Sequence, residues 1–244
     1  MRLRQVAWVA SDLAESTEQV REHLHLDVCY SDPGVGVFGL ENVLFPVGDQ
    51  FLEIVSPVAD NTTAGRLLAK RGVSAAGYMV IFQTEEDLDE VRRRAEVGGV
   101  RIVFEAPGGS DSDGTAIHGL HFHPADIGGA IVSIDRSEQP LEWAWAGPDW
   151  RNHVQTDIVS AMVGVTIEAD APETTASAWA HLLGAEPDAM SVAVDDAVIR
   201  FVAPEPGNRA RGVIGLDFLG SGPTDLDLVG TAVSIVTDSG PGSA

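Results

Sequence analysis

Short runs of alternating apolar and polar residues, each leading into a helix-compatible stretch, recur along this chain. Residues 5–13 read Gln-Val-Ala-Trp-Val-Ala-Ser-Asp-Leu. The alternation predicts a strand, and the Asp is suited to cap a helix that ends near His25. Residues 80–88, Val-Ile-Phe-Gln-Thr-Glu-Glu-Asp-Leu, repeat the plan, with a helix through Val91 and Ala95 that stops at Gly98-Gly99. A third copy has its strand at 165–169 and a helix from Pro172 to Leu183, closed by Gly184. One constant offset places Trp179 on Val20, Leu183 on Leu24 and Gly184 on His25.

The strands after each helix correspond as well. Phe-Leu-Glu-Ile-Val-Ser-Pro at 51–57 matches Val-Ile-Arg-Phe-Val-Ala-Pro at 198–204, and residues 129–134 match 230–235. The stretch between Gly212 and Gly230 is too short for a full copy, so the fourth unit is expected to lack its helix. Each unit therefore reads as strand, helix, then two or three antiparallel strands. Such a unit cannot bury both faces alone and is expected to pair with another. The predicted organisation is a first domain over 1–135, a connecting strap over 136–157 and a degenerate second domain over 158–240. The strap holds Pro140, Pro148 and Trp143, Trp145 and Trp150. A flexible linker is polar and rich in Gly and Ser, so this aromatic segment is expected to pack down. Lining a ligand cleft between the domains is the other role open to Trp143 and Trp145.

Composition narrows the function classes. The 244 residues include 15 Lys+Arg and 37 Asp+Glu, a formal charge of −22, with 44% hydrophobic residues. That balance fits a globular protein large enough for one or two cores. A polyanion of this size repels phosphate backbones and anionic headgroups, so neither nucleic acid nor membrane is an expected partner. No apolar run reaches bilayer length, the N-terminus offers no secretory segment, and Cys29 is the one cysteine. A cytoplasmic protein is the expectation. Arg92-Arg93-Arg94 and the pair Arg209 and Arg211 are the dense basic clusters, read as a solvated helix face and a basic turn. The glycines at 34, 36 and 39 lack the strand–loop–helix order of a dinucleotide site. The run at 108–114 lacks the spacing of a calcium loop and reads as a turn.

The units resemble the βαβββ modules of the vicinal oxygen chelate superfamily, the glyoxalase and methylmalonyl-CoA epimerase group. The resemblance is carried by residues 5–13, by Leu-Glu-Ile-Val-Ser-Pro at 52–57, by Gly77 onward and by His-Pro-Ala-Asp-Ile-Gly-Gly at 123–129. It implies an α+β fold of paired modules curled into open cup-shaped sheets, as in the glyoxalase/bleomycin-resistance/dioxygenase fold. In that superfamily a divalent cation sits in the cup and stabilises an enediolate, alkoxide or peroxide. The corresponding ligand positions are Gln5, Glu53, Val80 and Ser133 in the first domain, and Gly164, Arg200, Gly215 and Ser234 in the second. Val80 cannot coordinate a metal and Arg200 repels one, so no cofactor is expected. A divalent metal on an atypical ligand set remains an alternative.

The remaining chemistry points to proton transfer. Glu53 is expected to point either into the cup or into solvent; if inward and unpaired, it is a candidate base through a raised pKa. His121 and His123, at i and i+2 on a strand, are candidate acid/base groups, with structural roles as the alternative. Gln5 and Ser133 would hydrogen-bond a substrate, and Trp8, Tyr78 and Phe82 would line the cup. The expected function is that of an isomerase, epimerase or lyase acting next to a carbonyl group. A non-catalytic small-molecule binding protein and a metal-dependent enzyme are the two alternatives. The expected partner is a small molecule, and the protein a monomer or homodimer.

Overall fold

The computed structural model describes residues 1–110, 116–207, 211–221 and 224–237. Part of the 108–114 turn, Arg209 and the tail beyond 237 lie outside the described residues. Two seven-stranded sheets make up the fold. The first, sheet A, begins with β1 (Arg2–Ala10), α1 (Leu13–Leu24), β2 (Leu40–Val47) and β3 (Gln50–Pro57). It continues with α2 (Thr63–Arg71), β4 (Ala75–Gln83), α3 (Leu88–Val97), β5 (Ile102–Ser110), β6 (Ala116–Phe122), α4 (Pro124–Ile127) and β7 (Ile131–Ser137). Strand order is β2-β3-β1-β4-β7-β6-β5. The two modules meet where β1 runs antiparallel to β4, and each first strand pairs in parallel with its module's last strand, β1 with β3 and β4 with β7.

Sheet B repeats this with β8 (Val159–Glu168), α5 (Pro172–Leu183), β9 (Pro187–Asp188), β10 (Ser191–Ala193), β11 (Val198–Val202), β12 (Gly212–Gly220), β13 (Thr224–Leu228) and β14 (Thr231–Val236). Its order is β13-β14-β12-β8-β11-β10-β9, and the last module passes from β12 to β13 without a helix. The caps follow local chemistry. The Asp12 carboxylate accepts the Glu15 N–H at 2.9 Å, Pro172 opens α5, and Gly184 closes it with φ +67°. The nine-residue helix α2 was not anticipated from the sequence. Its Ala64 and Leu68 bury against Val9, Val55 and Ala76 at one end of sheet A.

The convex faces of both sheets share one hydrophobic core with α1, α3 and α5. Trp8, Val80 and Phe82 belong to this core and are fully buried; Phe82 meets Trp179 of α5 edge-on, with ring centroids 6.1 Å apart. The expectation that Trp8 and Phe82 line the cup therefore fails. Strand alternation sends even-numbered residues of β1 and β4 to the convex side here, and the inward neighbours of Val80 are Met79 and Ile81. A single-residue bulge in β1, between the paired residues Leu3 and Gln5, brings Arg4 to the concave side beside Phe51 and Trp143. A second bulge sets Tyr78 of β4 against the concave-face clusters.

The strap between the sheets covers the concave face of sheet A. Trp143 and Trp150 bury there with Ala146, against Ala7, Leu44, Phe51, Met79, Ile81 and Ile117. Truncating a fully buried Trp typically costs about 3–5 kcal/mol, so two such anchors make the strap part of the folded core. The sheets themselves touch at Gly77, where a Cβ would lie 2.4 Å from the Val213 carbonyl oxygen and 2.5 Å from the Val213 Cβ. Gly77→Ala is expected to lower stability by ~1–3 kcal/mol through overpacking. Gly36→Ala, with nothing within 4 Å of the added carbon, is expected to be near neutral. Urea unfolding of both variants checks the contrast.

Candidate active site

Register alone gathers the polar groups on the concave face of sheet A. Phe51, Gln5, Ile81, Ser133, His121 and Phe104 are successive cross-strand partners from β3 to β5. Leu44, Glu53, Ala7 and Met79 form the neighbouring row. Cross-strand partners share a face, so Gln5, Glu53, Ser133 and His121 all point into the cup.

Glu53 is 6% exposed and, among the described residues, has no cationic partner. The Gln5 amide donates to its Oε2 at 2.8 Å and the Asn42 amide to its Oε1 at 2.6 Å. Both amides are held in that orientation from outside. The Trp143 indole N–H donates to Gln5 Oε1 at 2.8 Å, and the Asp32 backbone N–H donates to Asn42 Oδ1 at 2.8 Å. An indole and a peptide N–H can only donate. Each amide must therefore turn its oxygen outward and its NH₂ toward Glu53. Burial pushes the Glu53 pKa up, the Asn42 and Gln5 hydrogen bonds pull it back, and the charge of Asp32 adds to the rise. Tyr78 is close enough to feel the Glu53 charge; burial first, and then that charge, push its phenol up to about 12.

A second polar cluster lies toward β6. The Ser133 hydroxyl donates to Asp135 Oδ1, and the Trp145 indole donates to Asp135 Oδ2 at 2.9 Å. Asp135 is 2% exposed, and burial pushes its pKa up to about 6 against those two hydrogen bonds. It fits because Gly119 lies opposite; a Cβ there would come within 2.6 Å of the carboxylate. His121 is half-buried beside Phe104, ring centroids 5.1 Å apart, and Phe104 meets Phe38 at 5.1 Å. Burial pushes the His121 pKa down to about 4, so its ring is neutral near pH 7. His123 does not join it. Strand β6 ends at Phe122, and His123 instead caps α4, its Nδ1 accepting the Ala125 N–H at 3.1 Å.

Alternation from Ser133 pointed to Asp135, and alternation from Leu40 and Leu44 pointed to Asn42. Neither Asp135 nor Asn42 is among the site residues expected from the sequence. The Cys29 thiol donates to the Ala146 carbonyl at 3.6 Å, and burial pushes its pKa up to about 12. Arg92, Arg93 and Arg94 pair with Glu105, Glu90 and Glu86, and Arg211 pairs with Glu168, so these positions are neutralised. A surface cavity of about 760 Å³ lies between α1 and the β13–β14 hairpin, lined by Asp12, Glu15 and Asp227 among others. It contains none of the buried titratable groups, and we place the site by its chemistry.

The residues present do not fit the divalent cation that the superfamily resemblance implies. Gln5 spends its oxygen on Trp143 and turns N–H groups toward the carboxylate where a cation would sit. Met79 and Ile81 supply no donor, and the Ser133 hydroxyl is committed to Asp135. In sheet B, Arg200 and Asp217 form an ion pair that occupies the space beside Gly164.

A family model for a glyoxalase-like domain matches residues 6–183. The chain belongs to that family, within the vicinal oxygen chelate superfamily. No curated protein matches it. A crystal structure of a hypothetical protein from Staphylococcus aureus is 11% identical, covering 96% of this chain and 98% of its own, with a TM-score of 0.70. The two chains share the whole two-sheet fold. A methylmalonyl-CoA epimerase variant from Streptomyces coelicolor, in complex with 2-nitronate-propionyl-CoA, is 19% identical over 57% of this chain and 96% of its own, with a TM-score of 0.48. The epimerase from Mycobacterium tuberculosis is 22% identical over 55% of this chain and 86% of its own, with a TM-score of 0.45. Among the described residues, no helix is long and apolar enough to cross a membrane.

Asp135 carries a definite pH signature. Its folded pKa of about 6 lies above its ordinary value of 3.8, so the folded state holds the proton more tightly. The stability this confers is fully present below pH ~4 and is lost as pH rises through about 6, by up to roughly 3 kcal/mol. Asp135→Asn is expected to remove that component. Denaturation of both proteins from pH 4 to 8 should show their stability difference changing in favour of the variant as pH rises.

Proposed function

We propose that the concave face of sheet A catalyses proton transfer next to a carbonyl group, with Glu53 as the base and no requirement for a divalent metal. One observation carries this reading: Glu53 is a buried carboxylate with two neutral amides and no cation beside it. Such a charge is costly to hold in a fold and is characteristic of sites that use it. The carboxylate would take the proton α to the carbonyl, and the electron pair left on carbon would delocalise onto the carbonyl oxygen. Tyr78, on that face, carries a hydroxyl able to hydrogen-bond the enolate oxygen, while the Ser133 hydroxyl already donates to Asp135. Delivery of the proton from Glu53 to a different carbon gives isomerisation, and delivery to the opposite face of the original carbon, once the enolate has turned, gives epimerisation; expulsion of a β-substituent gives elimination. His121, neutral and half-buried, is a hydrogen-bonding group at the rim. Sheet B would serve as a structural partner.

The strap favours a second reading. Trp143, Trp145 and Trp150 lie over the same face, as they would in a protein that closes around a ligand without transforming it. Deuterium exchange distinguishes the two. The chelator-treated protein is incubated in D₂O with a panel of ketones, 2-oxoacids, 2-hydroxy ketones and acyl thioesters, and loss of α-proton signal is followed by NMR. Exchange is expected with at least one compound, and Glu53→Gln is expected to slow it by ~10²-fold or more. Exchange undiminished in Glu53→Gln, or dependent on added metal, would overturn the assignment. Tight binding without exchange would favour the binding protein.

A further inference from the structure

We propose that Arg4, together with the Trp150 indole, forms an anion-recognition site under the strap that holds the carboxylate of the molecule acted on by Glu53. The inference rests on the proposed function only in assigning that anion to the substrate. Arg4 is 1% exposed, and its Nε and Nη2 have no hydrogen-bond partner. The Asp49 carboxylate approaches only Nη1, at 3.6 Å, and is itself taken up by a two-pronged pair with Arg2. The buried indole Nε1 of Trp150 is likewise without a partner. Arg4 Cζ lies 5.2 Å from the Trp143 ring, 5.3 Å from Phe51 and 6.0 Å from Trp150. Unsatisfied donors of two different side chains therefore share one corner of the concave face.

A buried guanidinium normally finds a carboxylate. Here aromatic faces stand in its place. They offer a cation–π attraction weaker than a two-pronged, charge-assisted hydrogen bond to an anion. Burial, and next the charge of Arg2, lower the Arg4 pKa to about 10, with Arg151 acting in the same direction and the charges of Asp49 and Asp196 opposing it. Arg151 stacks on Trp150 at 4.3 Å from the ring centroid. Arg4 adjoins Gln5 in sequence, and Gln5 donates to Glu53. A carboxylate at Arg4 would leave the rest of the same molecule beside the base. Reaching Arg4 requires Trp143 and Trp150 to shift. Trp143 also holds Gln5, so arrival of the anion and release of the Glu53 clamp are coupled.

Both tryptophans report on the site. Intrinsic fluorescence and calorimetric titrations would compare acetate and phenylacetate with acetamide and phenylacetamide at constant ionic strength. At least one carboxylate is expected to bind saturably and change the emission, while its amide does not. Arg4→Met is expected to weaken that binding at least ~30-fold, the usual consequence of removing one partner of a buried charge pair. Should that variant fail to fold, Trp150→Phe keeps the ring, removes the N–H and is expected to weaken binding severalfold. Absence of saturable carboxylate binding, equal binding of amides, or binding unchanged in these variants would overturn the site and leave Arg4 as a cation–π anchor for the strap. Glu53→Gln separates the two proposals. Carboxylate binding retained in Glu53→Gln, with α-proton exchange also retained, would sink the base and leave the anion site standing. Exchange lost in Glu53→Gln without any carboxylate binding would sink the anion site alone.

Discussion

A carboxylate buried without a cation is the constraint around which the concave face is organised. Glu53 is tolerated because both its oxygens receive amide hydrogens, and it receives them because donor-only groups hold the two amides from behind. The chain Asp32–Asn42–Glu53–Gln5–Trp143 thus ties the segment preceding β2 to the strap that follows β7. Every link depends on the register of β1, β2 and β3, since a one-residue slip would turn Glu53 into the convex core. The same polarity explains why the family's metal position does not fit here. An amide that must donate cannot also offer its oxygen to a cation.

Much of the fold was legible in the sequence because its signals are local. The repeated strand–cap–helix pattern, the glycine stops and the missing helix of the last module all follow from residues within a few positions of one another. The packing of the strap was legible from its aromatic content: Trp143 and Trp150 bury, and Trp145 is half-buried. The inward direction of Gln5, Glu53, Ser133 and His121 came through the strand positions. Which neighbours joined them did not. The bulges at Arg4 and Tyr78 alter facing on β1 and β4, and period-2 alternation cannot reveal an inserted residue. Trp8 and Phe82 were misplaced for the related reason that aromatic character marks a core as readily as a cup. His123 left the alternation because Pro124 opens a helix immediately after it.

The acidic surface and the cup differ in how charge is managed. Arg92, Arg93, Arg94, Arg101 and Arg211 are each paired with a nearby carboxylate, and those pairs with both partners exposed contribute little to stability. Inside the cup the pattern inverts. Glu53 and Asp135 are bonded to neutral donors, and Arg4 faces aromatic rings. Opposite buried charges therefore lie on one face without neutralising each other, and the strap covers them all. Among the described residues, the matching face of sheet B carries instead the half-exposed Arg200–Asp217 pair.

The central claim is that Trp143, through Gln5, sets the state of Glu53, and a carboxyl ¹³C NMR titration of Glu53 tests it directly. In the native protein Glu53 should titrate above its ordinary value. Trp143→Phe frees Gln5 to turn its oxygen toward the carboxylate, which favours the protonated form, so the Glu53 pKa should rise further. Trp150→Phe, which removes an indole not bonded to Gln5, should leave it in place. An unchanged Glu53 pKa in Trp143→Phe, or equal shifts in both variants, would contradict the account.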